Sequence, residues 1–249
     1  MRSFFLSLFM VLFTGLASAQ SFSEMNDAET AAFGAAVRAY LLDNPEVIME
    51  AVAVLEQRQQ QNAATSDVEL VAQYYEQIFN DGYSNVSGNP DGTIQIVEFS
   101  DYKCGYCKRA YPELLQLIEA NPDIRFVLKE YPILGAESIL ASRAAISVLV
   151  NEGDEAYERF HDALMRENGP LTELSLPLIA EGLGIDSAKM LETMNTALVT
   201  QVIQTNRTLG QQMQISGTPT FIIGTEMLRG YVPLAGMQQI VDETRQNLN

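Results

Sequence analysis

Between Thr93 and Glu130 the apolar pattern of the chain changes period twice, and that change restricts the fold more than any other feature. The run Thr93-Ile94-Gln95-Ile96-Val97-Glu98-Phe99 is rich in β-branched and aromatic residues and follows the turn-forming Asn89-Pro90-Asp91-Gly92, so a strand is expected. From Cys104 to about Ala120 apolar residues recur at helical spacing through Leu114, Leu115 and Ile118. Asn121-Pro122 ends that helix, because the residue before a proline is pushed out of the helical region. Ile124 to Glu130 is a second β-rich run. Strand, helix and strand in one stretch form a βαβ unit, which requires parallel pairing and a right-handed crossover.

The two cysteines of the chain stand where the first strand gives way to the helix, in Cys104-Gly105-Tyr106-Cys107. A cysteine at a helix N-terminus faces unpaired backbone N–H groups and the positive end of the helix dipole, which favour thiolate over thiol. Cys104 is therefore the expected attacking sulfur. Cys107, one turn further in, is placed to resolve a mixed disulfide. Three other uses of the pair compete with this one. A structural disulfide over two intervening residues closes little loop and stabilises little. A zinc site needs about four ligands, and the chain offers two cysteines and one distant His161, so no metal is assigned. A copper site built from the thiolates and some of the methionines is the third.

Residues 1–19 read as a processing signal: Arg2, an apolar stretch from Phe4 to Phe13, then Ala17-Ser18-Ala19 before Gln20. The alternative is an uncleaved anchor, for which the apolar run is short. The formal charge is −17, and removal of residues 1–19 with their one arginine makes it −18. Such an acidic surface repels phosphate backbones and anionic lipid, so nucleic acid is not an expected partner.

Residues 20–86 read as a helical module, rich in Ala, Glu and Gln and free of Gly between Gly34 and Gly82. One helix is expected over 28–42, with Phe33, Val37, Tyr40 and Leu41 at helical spacing, and a break at Asn44-Pro45. A second starts at Pro45 and carries Val47, Ile48, Ala51, Val52 and Leu55. The run from Gln57 to Asn62 has no apolar face and is either a solvated helix or a linker. The apolar stripes must be covered, by the following domain or by another copy of the chain; a homo-oligomer is the preferred reading.

Residues 87–249 form the second domain. A helical insert is expected at about 137–212, with helix starts at Ser138, Asp154, Thr172 and Asp186 and breaks at Gly153, Gly169 and Gly184. After Gly217-Thr218-Pro219, Thr220 to Ile223 is a strand, Met227 to Tyr231 its antiparallel neighbour and Leu234 to Asn247 a closing helix.

The run from Phe99 through Cys107, with its preceding strand and a distant Gly217-Thr218-Pro219, resembles the DsbA-like and DsbC-like disulfide oxidoreductases of bacterial envelopes. It is most similar to the branch with N-terminal helices that includes the suppressor-of-copper-sensitivity protein C group. The likeness covers roughly residues 90–245, one thioredoxin domain with a helical insert. It implies an α/β thioredoxin fold and a cis peptide bond at Pro219, which with Thr218 would lie against the sulfurs and let an extended substrate pair beside them. It implies a buried acid at Glu98, six residues before Cys104, that accepts the Cys107 proton; the alternative is a solvated strand carboxylate. Lys129 on the next strand is a candidate partner for Glu98. The pair between the cysteines is Gly105-Tyr106, as in DsbC, where DsbA has Pro-His; without a cationic imidazole beside Cys104 a strong oxidant is disfavoured. His161 lies in the expected insert and reads as structural.

The sequence thus points to an exported protein, periplasmic in a Gram-negative cell, that isomerises or reduces disulfides in misfolded exported proteins. No cofactor is expected, but a redox partner must reset the cysteine pair. A disulfide-forming oxidase is the near alternative. A chaperone or copper-binding protein is the alternative of another class.

Overall fold

The computed structural model describes residues 25–248, so the segment expected to be a processing signal lies outside the described residues. The chain divides into two compact units, one ending at Gln59 and one starting at Gln60.

In the first unit, α1 (Asp27–Asp43) opens on a reciprocal cap. The Glu29 backbone N–H donates to Asn26 Oδ1 at 3.0 Å and the Asn26 N–H to Glu29 Oε2 at 2.9 Å, satisfying two donors that a helix start leaves free. The helix stops at Asn44, before Pro45. The next helix, α2 (Glu46–Gln73), runs without interruption through the glutamine-rich segment, which is therefore helix and not linker. Glutamine and arginine lose little side-chain freedom in a helix, so the segment needs no apolar face to stay helical. No residue of α1 is buried, and its Phe33, Val37 and Tyr40 are exposed, as are Ile48, Val52 and Leu55 of α2.

The second unit takes in the end of α2, α3 (Tyr75–Phe79) and β1 (Asn85–Gly88), of which the residues up to Val86 are expected from the sequence to belong to the helical module. Val71, Ile78 and Phe79 are buried in a core shared with the sheet, which ties this stretch to the domain that follows. A five-stranded sheet is ordered β1-β3-β2-β4-β5, with β2 (Ile94–Ser100), β3 (Ile124–Glu130), β4 (Thr220–Ile223) and β5 (Glu226–Arg229). Among the described residues only β2 and β3 pair in parallel, and they are joined by α4 (Gly105–Ala120) as the βαβ pattern requires.

Both faces of the central strands are covered, so they read as near-continuous apolar runs. Ile94 and Ile96 of β2, Phe126 and Leu128 of β3 and Phe221 of β4 pack with Cys107, Leu114 and Leu117 of α4 and with Met237 and Val241 of α10 (Leu234–Asn247). Val97, Phe99, Val127 and Ile222 face the other way, toward Phe79, Leu209 and Met213. The insert consists of α5 (Ala136–Glu152), α6 (Asp154–Arg166), α7 (Ser175–Gly182), α8 (Ser187–Thr193) and α9 (Ala197–Gln212). Gly210 lies inside α9 because a Cβ there would meet the Tyr131 ring at 2.5 Å. Among the described residues no helix is long and apolar enough to cross a membrane.

One expected contact is corrected. Lys129 is in register with Phe99, not with Glu98, and the pleat therefore points it to the opposite side of the sheet. There its ammonium donates to the Gln77 carbonyl at 2.9 Å and forms a buried ion pair with Asp81.

Candidate active site

The site is built on the loop that leaves β2. Asp101 ties that loop down: its carboxylate accepts from the N–H groups of Lys103 at 2.8 Å, Ile133 at 2.8 Å and Leu134 at 3.0 Å. The Asp101 carbonyl accepts from Cys104 N–H at 3.0 Å, which starts the turn into α4. Cys104 is the N-cap residue of α4, with extended backbone, and its sulfur accepts from the Cys107 N–H at 3.4 Å. Sulfur here takes the place that a serine or aspartate oxygen holds at other helix starts.

Across from it, the Thr218–Pro219 peptide bond is cis, and the Cys104 thiol donates to the Thr218 carbonyl at 3.1 Å. The expected contact of the proline loop with the sulfur is therefore present. Pro219 is buried and Thr218 half-buried, with its hydroxyl enclosed. Gly105 and Tyr106 form the outer edge of the site, the tyrosine 62% exposed.

The two sulfurs differ. Cys104 is 6% exposed and Cys107 is 0% exposed. A hydrogen bond from the Cys107 thiol pulls the Cys104 thiol down to about 6 against the opposing effect of burial, with Thr218 and the backbone N–H groups of Cys107 and Tyr106 adding to it. Burial pushes the Cys107 thiol far up, and Cys104 and Glu98 push it further. One sulfur is thus an anion near neutral pH and the other a protonated thiol one helical turn behind it.

Glu98 lies on the sheet face that Ile94 and Ile96 share with Cys107, and it is buried rather than solvated. Its Oε1 has no hydrogen-bond partner. Burial raises this carboxyl to about 8; the Ser100 hydroxyl opposes the shift, while Cys104 and Glu130 add to it.

A second buried group was not anticipated. Glu130 Oε1 accepts from Tyr102 at 2.7 Å and from Tyr157 at 2.6 Å, and the Tyr102 oxygen lies 2.9 Å from His161 Nδ1. Period-two alternation from Leu128 places Glu130 on the Glu98 side of the sheet, a signal present in the sequence. Nothing there links it to Tyr157 and His161 on α6. His161 is fully enclosed, and burial lowers its imidazole to about 4, so it is neutral at neutral pH. Among the described residues no group of three or more His, Cys, Asp or Glu side chains is arranged to hold a metal ion.

Comparison with known proteins follows the same lines. Residues 95–242 match the DSBA-like thioredoxin domain, and residues 29–62 match the copper resistance protein ScsC N-terminal domain. A thioredoxin-like oxidoreductase from Silicibacter pomeroyi is 37% identical with a TM-score of 0.65, covering 69% of this chain and 97% of its own. The thiol-disulfide exchange protein alpha-DsbA2 from Wolbachia pipientis is 31% identical with a TM-score of 0.68, over 73% of this chain and 97% of its own. Proteus mirabilis ScsC in a transitional conformation is 28% identical with a TM-score of 0.66, and there the match covers 91% of this chain and 100% of the other. The chain also spans 21% of the length of a curated relative, the Na(+)/H(+) antiporter NhaA 1 of Salinispora arenicola, at 26% identity over 140 residues. With a family model matching more than half of its length, the chain belongs to the DSBA-like thioredoxin domain family.

Proposed function

We propose that the protein is an exported thiol-disulfide oxidoreductase that isomerises or reduces disulfides in misfolded exported proteins, with Cys104 as nucleophile and Cys107 as resolving thiol. The inequality of the two sulfurs carries this reading: one is acidic and slightly exposed, the other fully enclosed and protonated.

In this scheme the Cys104 thiolate attacks one sulfur of a substrate disulfide. The substrate S–S bond breaks, a mixed disulfide forms, and the departing substrate thiolate takes a proton from water. Cys107 then gives its proton to Glu98 and attacks Cys104, closing the Cys104–Cys107 disulfide and releasing a reduced substrate. In isomerisation a substrate thiolate displaces Cys104 instead. Thr218, Pro219, Gly105 and Tyr106 border the sulfur and form the substrate-binding surface. No cofactor takes part; a dithiol partner reduces the closed disulfide. Gly105-Tyr106 places no cationic imidazole between the cysteines, which favours shuffling over strong oxidation. Residues 1–19 fit export, to the periplasm in a Gram-negative cell. The exposed stripes of α1 and α2, in the segment that matches the ScsC N-terminal domain, support a homo-oligomer in which several active sites share one sheltered space.

Scrambled ribonuclease tests the reading. Reduced protein should restore its activity, and Cys104→Ala should abolish that. Recovery only from fully reduced ribonuclease with oxidised protein would make it an oxidase. Equal recovery with Cys104→Ala would remove the redox reading and leave a chaperone or copper-binding role.

A further inference from the structure

Two carboxyls, Glu98 and Glu130, lie on one sheet face beneath the cysteine pair. In the parallel register Glu98 stands beside Leu128 and Ser100 beside Glu130, so the acids occupy neighbouring strands one same-face step apart. Both are buried, and Glu130 is among the charges that act on Glu98. Their surroundings differ in kind. Glu130 receives two phenolic O–H donors, from Tyr102 two residues before Cys104 and from Tyr157 of α6. Tyr157 is itself stacked on His161, with ring centroids 5.8 Å apart and 17° between planes. Glu98 has one oxygen with no donor at all.

Two carboxylates that interact in a water-poor interior do not both ionise readily. The charge settles on the acid that two phenolic O–H donors stabilise, and the proton on Glu98, where the Ser100 hydroxyl alone opposes burial. We propose that Glu130 is a positioning residue for thiol exchange: clamped by Tyr102 and Tyr157, it carries the negative charge of the acid pair and keeps on Glu98 the proton that Glu98 exchanges with Cys107. This rests on the exchange reading above and adds a residue to it.

The groups around the pair are consistent. Glu130 is faced by Asp101 and Tyr102 from the loop after β2, by Glu98 from β2, by Tyr157 and, through Tyr102, His161 from α6, and by the Ser142 hydroxyl from α5. Glu98 is faced by Cys104 and Cys107, by Ser100 and by Tyr157. Lys129, next in sequence to Glu130, is committed to Asp81 on the far side of the sheet. Burial raises both acids, Glu98 to about 8 and Glu130 to about 7, with the Ser142, Tyr157 and Tyr102 hydroxyls holding Glu130 back. The proton balance is simple. Glu98 accepts the Cys107 proton only in its ionised form, so its midpoint sets the pH at which Cys107 attacks Cys104, and when a partner opens that disulfide the departing Cys107 thiolate takes the proton back. Glu130 is charged above about 7, the range in which Glu98 titrates.

The test uses the full chain carrying a small thiol on Cys104 as a mixed disulfide, with release by Cys107 followed against pH. In the wild type the rate should rise with a midpoint near about 8. Glu130→Gln should move that midpoint down by about one pH unit, the usual size of one lost neighbouring charge, and Tyr102→Phe should move it the same way by less. Glu98→Gln should remove the transition. In the oxidised protein the infrared band of a buried protonated carboxyl above about pH 7 should vanish in Glu98→Gln and persist, with a lower midpoint, in Glu130→Gln. An unmoved midpoint in both Glu130→Gln and Tyr102→Phe overturns the proposal, and so does a band that follows Glu130 instead of Glu98. A chain that never releases the thiol fails the exchange reading, and the infrared band then still decides between the two acids.

Discussion

Glu98 holds its proton up to about 8 in the folded chain, against the ordinary value of 4.5 that applies once it is unfolded. Between those values the unfolded state binds fewer protons than the native one, so native stability falls as pH rises, and above the folded value the loss is complete. Glu130 acts in the same sense over a narrower window, up to about 7. Replacing Glu98 by Gln keeps the shape and removes the penalty. Urea unfolding of wild type and Glu98→Gln should therefore differ little near pH 4.5, with the variant gaining steadily toward about pH 8 and no further above it. A difference independent of pH would show that the carboxyl is not held protonated by the fold. Cys104 works in the opposite sense: its lowered thiol makes the reduced native state more stable as pH rises past about 6.

At the level of elements, the second face of the sheet depends on a buried pair. Burial would raise the Asp81 carboxyl, but Lys129 overrides it and holds it below the ordinary range. The side chain of Lys129 is wholly enclosed. Asp81→Asn leaves that ammonium without its counter-charge and should destabilise the domain by about 3–5 kcal/mol, whereas Lys129→Met, which removes the charge that needed a partner, should cost much less. Thermal unfolding of the two variants checks the order; an Asp81→Asn change under about 1 kcal/mol would mean the pair is solvated in practice. This pair also marks where sequence reading stopped. β2, α4, β3, β4 and α10 were legible because each is a clear apolar period between Gly, Pro or Asn breaks. So were the placement of Cys104 and Cys107 at the start of α4 and the inward side of Glu98. β1 was not: Asn85-Val86-Ser87-Gly88 has one apolar residue and becomes a strand only because β3 offers an edge. α9 starts at Ala197 behind a Thr196 cap that no glycine break announced. A strand buried on both faces has no polar side to reveal direction, so Lys129 was assigned to Glu98 although one step of register separates their faces. Contacts such as Tyr102 with His161 join distant segments through tertiary packing, which local pattern does not encode.

For the molecule as a whole, the first unit is a set of apolar stripes on two helices, with Phe33, Val37 and Tyr40 on one and Ile48, Val52 and Leu55 on the other. Such stripes are costly in water and are met by a second copy in the proposed oligomer. Light scattering should give a multiple of the chain mass for the full protein and a single chain mass for a variant carrying Ile48→Glu, Val52→Glu and Leu55→Glu. A monomer in both cases removes the oligomer. A truncation at residue 87 is a poor substitute, since it would discard Ile78 and Phe79 from the core and part of β1. Whatever the assembly, exchange begins with an acidic sulfur at the start of α4. Thiolate absorbance of the reduced full chain against pH tests this most directly: one thiol should ionise at about 6 while the second stays silent far above, and Cys104→Ser should remove that transition. A single titration at about 8.5, the value of an unperturbed cysteine, would contradict it.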